Sequence, residues 1–551
     1  MSVNIGQTLA ERAHELGDET ALVEAATGKA LSFAELNGRA DALAWILRNH
    51  GVKAGERVML MVRPSADFIC LSFALFKLGA PVILIDPGMG YKNLRRCIAG
   101  VRPQVLIGIP AAHLFRLVFP APFRTVRRSF CCGSFLGFTL GLFGPDICRQ
   151  AGVASPPFAA YPAKTDELAA IIFTTGSTGP PKGVRYEHGV FHAQMRLIRD
   201  YYQIGPGQID QPGFPLFALF ATTLGARAVI PDMDPTRPAK VDPRKFVGSL
   251  QDRQVTYSFG SPAIWNVVSR YCREQGIVLE HLQQVLMAGA PIAGDLVARM
   301  QAVLPPGARI HTPYGATESL PVASIEGKEI MEQTWPLSRR GKGICVGRPL
   351  PGMEIRVIGC ADVPIPFWDE ALCLPAGSIG EIVVRGDVVT RAYENNEPEN
   401  RLSKIKDGSS FWHRMGDLGY LDEHGRLWFC GRRAHRVETE TGTLYTICCE
   451  AIVNEHPDVA RSALVGIDDP KHAQCTDRQQ PVLIVEPVKD KKIIPETLLA
   501  EVRRLAAASP LTSSIGHFLI HPDFPVDIRH NAKIFREQLA VWAQQQLTGQ
   551  P

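Results

Sequence analysis

At 551 residues the chain is too long for a single hydrophobic core, and two or three domains are expected. Its 46% hydrophobic and 21% charged residues are those of a globular enzyme and exclude a disordered or fibrous chain. A formal net charge of +4 is small for this length and gives no support for a basic nucleic-acid-binding face, so no nucleic-acid partner is expected.

The opening stretch MSVNIGQTLAERAHELGDET is amphipathic and lacks the apolar run of a secretory signal, which makes a cytoplasmic protein the expectation. Short apolar runs then alternate with longer mixed segments. RVMLMV (57–62), APVILID (80–86), PQVLIGI (103–109) and LAAIIF (168–173) read as buried strands, and ADFICLSFALFKLG (66–79) has helical spacing. Strands alternating with helices predict α/β layers with largely parallel sheets. SFCCGSFLGFTLGLFG (129–144) is uncharged and follows Arg124, Arg127 and Arg128. It is shorter than the roughly 18–20 apolar residues of a spanning helix, and its glycines weaken it as a helix. A buried structural segment is expected there. The alternative is the wall of an acyl channel or a reversible lipid contact, with the arginines at the headgroups. The thirteen cysteines include the doublets Cys131-Cys132 and Cys448-Cys449 but no C-x-x-C pair and no zinc-like spacing, so reduced, mostly buried thiols are expected.

Around 345–430 the texture changes. MEIRVI (353–358), GEIVVRG (380–386) and GYLDEHGRLWFCGR (419–432) read as strands joined by tight turns, with His424-Gly425 in a hairpin, and suggest a β-rich subdomain. Beyond Arg433 comes a compact tail. It reads as a helix at EAIVNEHP, strands at SALVGI and PVLIVEP, a helix at PETLLAEVRRLAAA, and a loop ending in RHNAKIFR. The clearest domain boundary falls near 430–436.

The strand LAAIIF runs straight into TTGSTGPPKG (174–183), which suits neither a helix nor a strand interior. The Walker A pattern fails there, because Pro181 stands where its second glycine belongs and Gly183 follows the lysine. A loop at the end of a buried strand is nevertheless well placed for a ligand. Its glycines let backbone N–H groups approach a polyphosphate, Thr175, Ser177 and Thr178 offer hydroxyls, and Lys182 a point charge. The bland alternative is a flexible linker, which would normally lie between polar segments.

IIFTTGSTGPPKG resembles the phosphate loop of the acyl-adenylating superfamily of acyl-CoA synthetases, luciferases and peptide-synthetase adenylation domains. MAGAPI (287–292), YGATE (314–318), VGRPLPGMEIRVI (346–358), GDLGY (416–420), GRRAHRV (431–437) and NAKIFR (531–536) resemble its later motifs, in the same order. The resemblance implies an α/β fold. Its large N-terminal AMP-binding domain (1–432) has α/β layers and a β-rich subdomain at about 345–430, and a small mobile α+β lid domain (433–551) follows. It also implies attack of a carboxylate on the α-phosphate of ATP, with Mg²⁺, where charge must be neutralised at the transferred phosphorus. Thr174, Thr175, Gly176, Ser177, Thr178, Gly179 and Lys182 would then cradle phosphate, and Gly289, Ala290 and Pro291 would edge the adenine. Tyr314 and Gly315 would lie against the base, Thr317 would bond a phosphate oxygen, and Glu318 would hold the metal. Asp417 would accept the ribose hydroxyls, Arg432 would reach ribose or phosphate, and Lys533 would bridge carboxylate and α-phosphate. Lys533, Lys182, Thr178 and Glu318 are the expected catalytic set.

Ala434 and Glu438 depart from what thioester-forming relatives carry after GR, Met415 replaces a common threonine, and Ala532 a common glycine. The wording of TTGSTGPPKGVRYEHGVF and PVDIRHNAKIFRE looks most like the β-lactone synthetases of bacterial long-chain olefin biosynthesis. That likeness implies a long-chain 2-alkyl-3-hydroxy acid as substrate, and raises a complex with other enzymes of the olefin pathway. GFPLFALFATTLGA (213–226) and YSFGSPAIW (257–265) suit either an alkyl channel or plain core. A fatty acyl-CoA or acyl-AMP ligase, and a non-catalytic acyl- or nucleotide-binding relative, stay open as alternatives.

Overall fold

The computed structural model describes residues 3–133, 143–174, 180–214, 216–468, 478–489, 491–526 and 534–548. Among them two sheets dominate the first 432 residues. The smaller has six strands in the order Arg128–Cys131, Val105–Gly108, Val58–Met61, Val82–Leu84, Leu168–Thr174 and Lys182–Glu187. All neighbours are parallel except the last pair. The four strands expected from apolar runs are all here, because a parallel sheet covered on both faces selects continuous hydrophobic runs.

The helix Ala66–Leu78 lies against this sheet with nearly every residue buried. Ser65 caps it by accepting from the Phe68 amide, and Gly79 ends it at φ +73°. Its one cation, Lys77, is 1% exposed and pairs with Asp41 on the neighbouring helix Phe33–Asn49, while donating to Asn37 at 2.6 Å. A buried charge of this kind persists only when paired.

The larger sheet has 14 strands. Its parallel half runs from Thr20–Glu24 through Arg227–Ile230, Ile209–Asp210, Tyr257–Gly260 and Gln284–Met287 to Arg309–Ala316. From there it becomes antiparallel, through Ser319–Glu326, Ile344–Pro349, Leu427–Arg432, Ser410–Leu421, Gly380–Arg385 and Glu354–Ile358. The β-rich stretch is therefore continuous with the parallel half rather than a detached layer. The join is narrow, with Ala323 opposite Pro349 and Ser324 opposite Arg348.

Beyond Arg433, the hairpin Val437–Thr439/Gly442–Leu444 precedes a three-stranded sheet of Val459–Asp468, Gln479–Pro487 and His517–Ile520. The helices Thr446–Val453, Pro495–Ala507 and Arg536–Thr548 belong to the same part of the chain. Two apolar clusters, one around Leu464 and Leu483 and the other around Val465 and Leu539, are drawn entirely from residues after 436. No helix among the described residues is long and apolar enough to cross a membrane. Of the apolar segment 129–144, residues 134–142 lie outside the described residues, while Phe130, Cys131, Cys132 and Phe143 at its ends are buried.

Candidate active site

The C-terminal ends of Leu168–Thr174, Gln284–Met287 and Arg309–Ala316 open onto one cavity of 1870 Å³. Thr174 pairs with Lys182 in antiparallel register, so Lys182 opens a second strand that returns alongside the first. This is the physical difference from a Walker A loop, whose lysine lies where strand gives way to helix. Thr175, Gly176, Ser177, Thr178 and Gly179 lie outside the described residues. Lys182 lines the cavity, pairs with Glu399, and holds its Nζ 5.3 Å from the centre of the Tyr393 ring.

Gly289, Ala290 and Pro291 border the cavity just after Gln284–Met287, with Gly289 in a left-handed turn at φ +100°. Tyr314 and Gly315 line it from the end of the strand Arg309–Ala316, and Thr317 and Glu318 from the turn that follows. A Cβ on Gly315 would stand 2.4 Å from the Ser319 carbonyl oxygen, so this turn requires glycine. The Thr317 carbonyl accepts from the Tyr186 hydroxyl, which ties the turn to the smaller sheet.

Asp417 and Arg432 face each other across the pair Ser410–Leu421/Leu427–Arg432 and both border the cavity. Asp417 Oδ1 lies 2.8 Å from Arg432 Nη1, and Oδ2 accepts from the Tyr314 hydroxyl at 2.6 Å. Burial pushes the Asp417 carboxyl above its ordinary range, against the pull of Arg432, while the Asp417 charge raises the Arg432 guanidinium. The three residues, 103 apart at their widest hydrogen-bonded separation, form one polar cluster.

Three further residues had no motif to mark them. The Tyr393 hydroxyl donates 2.7 Å to Glu318 Oε1. The Thr390 amide and hydroxyl donate to the Glu318 carbonyl at 2.9 and 3.1 Å, and the Thr390 carbonyl in turn accepts from Lys404. Desolvation lowers the Lys404 ammonium to about 7, although Glu318 and Glu187 favour its charged form. The buried His413, beside it, is held well below its usual value by burial and by the Lys404 charge. The second Glu318 carboxylate oxygen has no hydrogen-bond partner among the described residues. One carboxylate facing a cavity that admits phosphates fits Mg²⁺, which binds through one or two carboxylates plus phosphate oxygens and water.

Another part of the wall is apolar. Phe76, Phe191, Phe220, Phe217 and Phe259 follow one another with ring centroids 5.7, 6.2, 5.8 and 3.7 Å apart, and all five line the cavity. Within 213–226, Phe217 and Phe220 face the cavity while Ala218, Ala221 and Thr222 are buried in the core. Within 257–265, Phe259 lines the cavity and Trp265 is core. The channel and core readings of these stretches thus both hold, on opposite faces.

From the C-terminal part, Thr446, Ile447, Glu450, Ile534 and Arg536 also border the cavity, and Arg536 Nη2 lies 2.7 Å from both carboxylate oxygens of Glu450. Lys533 lies outside the described residues. Ala434 borders the cavity in the turn Arg433–His435, whereas Glu438 is engaged by Arg436 at 2.6 Å and Thr443 at 2.7 Å.

Residues 9–394 match the AMP-binding enzyme family. Over 98% of its length the chain is 45% identical to an olefin beta-lactone synthetase of Xanthomonas campestris pv. campestris, covering 98% of that protein. It is 42% identical over 99% of its length to that of Stenotrophomonas maltophilia, again covering 98% of the relative. The crystal structure of ATP-bound MatB from Rhodopseudomonas palustris shares the fold, with a TM-score of 0.79 over 99% of each chain at 21% identity. A family match over most of the chain and this full-length identity mean that the protein belongs to the AMP-binding enzyme family and, within it, to the olefin β-lactone synthetases.

Proposed function

We propose that this enzyme activates a long-chain 2-alkyl-3-hydroxy acid with ATP and closes it to a β-lactone, releasing pyrophosphate and then AMP. The observation that carries the reading is the single cavity in which Tyr314, Glu318 and Asp417 stand at one part of the wall and the run of phenylalanines at another. An adenylating centre and an alkyl-binding surface then share one cavity.

In the first half-reaction the substrate carboxylate attacks the α-phosphate, and both reactants are anions. Lys182, the hydroxyl of Thr178 and the lysine at 533 supply the positive charge and hydrogen bonds that stabilise the crowded phosphorus. Glu318 would hold Mg²⁺, which would supply neutralising charge to the phosphate oxygens. Asp417 accepts the ribose hydroxyls, since each of its oxygens keeps a lone pair beyond those used by Tyr314 and Arg432. Residues 433–551 act as the lid that brings Lys533 to the reactants.

The acyl-AMP now carries a good leaving group, and the substrate's own 3-hydroxyl lies two carbons from the activated carbonyl. Attack by that oxygen forms the ring C–O bond, breaks the bond to AMP, and releases the hydroxyl proton. Holding the hydroxyl against the carbonyl replaces an external acceptor, and the phenylalanine wall keeps out the competing water. The strand after the arginine motif supports an internal acceptor, because Ala434 offers only a methyl group and Glu438 is already engaged.

The test is product analysis with a 2-alkyl-3-hydroxy acid, ATP and Mg²⁺, with and without coenzyme A. Without coenzyme A, NMR should show the vicinal ring protons of a four-membered lactone, and mass spectrometry the loss of water. The matching acid lacking the 3-hydroxyl should stall as acyl-AMP. An acyl-CoA formed only when coenzyme A is added would replace this reading with that of a ligase.

A further inference from the structure

One stretch of the chain carries no acid of its own, although Glu56 from outside it pairs with Arg128 at 3.0 Å. Between Pro87 and Pro145 there is no aspartate or glutamate, yet the stretch carries eight lysines and arginines. Against a net charge of +4 for the whole chain, this is a strong local concentration. The structure gathers part of it. Lys92, Arg95 and Arg96 stand exposed on the helix Tyr91–Val101 and, with Arg124, surround a surface cavity of 510 Å³.

Next to these cations lies an exposed apolar patch. Leu117 is 54% and Val118 68% exposed at the end of the helix Pro110–Val118, and Leu114 and Tyr91 are exposed beside them. The patch is continuous with the basic cluster. Tyr91 stacks on Phe115 at 5.7 Å, Phe115 meets Phe119 at 5.0 Å, and the Arg95 guanidinium lies 4.6 Å over the Phe119 ring. Single exposed leucines need no explanation, but a cluster of four large apolar side chains rimmed by cations does. Tyr91 and Phe115 also line the large cavity, and Tyr91 is 70% exposed, so the cavity opens to the outside at this patch.

We propose that this face docks on an anionic lipid surface. Lys92, Arg95, Arg96 and Arg124 meet the headgroups, and Leu114, Leu117 and Val118 enter the acyl boundary. The opening beside Tyr91 then faces the bilayer, from which a long-chain acid enters without crossing water. This last step rests on the alkyl substrate proposed above. The docking itself rests on charge and exposure alone. A lipid surface suits both the acid-free basic stretch and the apolar rim of the opening.

The test is co-sedimentation of the full-length protein, without ATP or substrate, with vesicles of phosphatidylcholine alone or with about one-third phosphatidylglycerol. Binding is expected to the anionic vesicles only, and to weaken as salt is raised. A triple variant, Arg95→Glu with Arg96→Glu and Arg124→Glu, should lower the partition coefficient about 100-fold or more. Leu117→Asp with Val118→Asp should also lose binding. Both variants should keep the parent rate of pyrophosphate release with a short, water-soluble 3-hydroxy acid, which shows that they fold. Equal binding to both vesicle types, parent-like binding by the charge-reversed variant, or no binding with a dimer in light scattering that Leu117→Asp disrupts would each overturn the proposal. Because turnover enters only the folding control and not the sedimentation, these outcomes leave the lactone reading untouched.

Discussion

Replacing Tyr393 with phenylalanine removes one oxygen atom and keeps the ring. That hydroxyl donates 2.7 Å to Glu318 Oε1, and Tyr393 is only 5% exposed. A hydrogen bond to a charged acceptor contributes about 1.5–3 kcal/mol. Glu318 borders a cavity open to water, so hydration recovers part of this and about 1–2 kcal/mol remains as the cost, a factor of about 5–30. The loss should fall on the step that needs Glu318 aimed at the metal and phosphates. In ATP–pyrophosphate exchange with varied Mg²⁺, Tyr393→Phe should raise the half-saturating Mg²⁺ concentration and lower kcat within that range. The KM for the acid should stay near the parent value, because Tyr393 acts through Glu318. Parent-like exchange at every Mg²⁺ concentration would refute the role given to this hydroxyl, and a loss confined to the KM of the acid would move it to the substrate pocket.

Lys533→Ala should abolish pyrophosphate release while leaving ATP binding nearly intact by calorimetry, because its contact matters mainly in the transition state. Lys404 has its folded pKa lowered to about 7 from 10.5 by burial. Between those values the unfolded chain binds the proton and the folded chain does not, so stability should rise with pH across that window, and Lys404→Met should remove this slope in denaturation at several pH values. Phe217→Ala removes a ring stacked on Phe259 at 3.7 Å and should cost about 2 kcal/mol or more of stability. It should also admit water to the wall, so that hydrolysed acid rises relative to lactone in the product mixture.

The parts of the fold that sequence reveals are those whose two faces are both buried. Val58–Met61, Val82–Leu84 and Val105–Gly108 fall inside the apolar runs expected for them, Leu168–Thr174 runs one residue beyond its run, and Ala66–Leu78 falls inside its helical stretch. The turn at His424-Gly425 does join two antiparallel strands, with Leu421 opposite Leu427. Short strands are less visible. Ile209–Asp210 has two residues and Ala30–Ser32 three, too few for any alternation to register. The 14-stranded continuity is hidden for another reason. It depends on Ala323 and Ser324 meeting Pro349 and Arg348, a long-range pairing that no local pattern encodes.

The site divides along the same line. Lys182, Tyr314, Glu318, Asp417 and Arg432 each stand in a short motif, and the fold brings all five to one cavity. Tyr393, Glu399 and Lys404 stand in no motif and reach the site from a loop, a short helix and a strand within the β-rich region. Tyr393 meets Glu318 across 75 residues, held there by the bridge between Val184 and Tyr393, by the flanking backbone bonds of Arg185 to Ala392 and Glu394 to Gly183, and by Asn400. Backbone pairing of that loop with the strand carrying Lys182 places Lys182, Tyr393 and Glu318 in a chain of contacts. Those contacts tie the strand carrying Lys182 in the smaller sheet to the turn carrying Glu318 in the larger one, and they are fixed by tertiary pairing rather than by any run of residues.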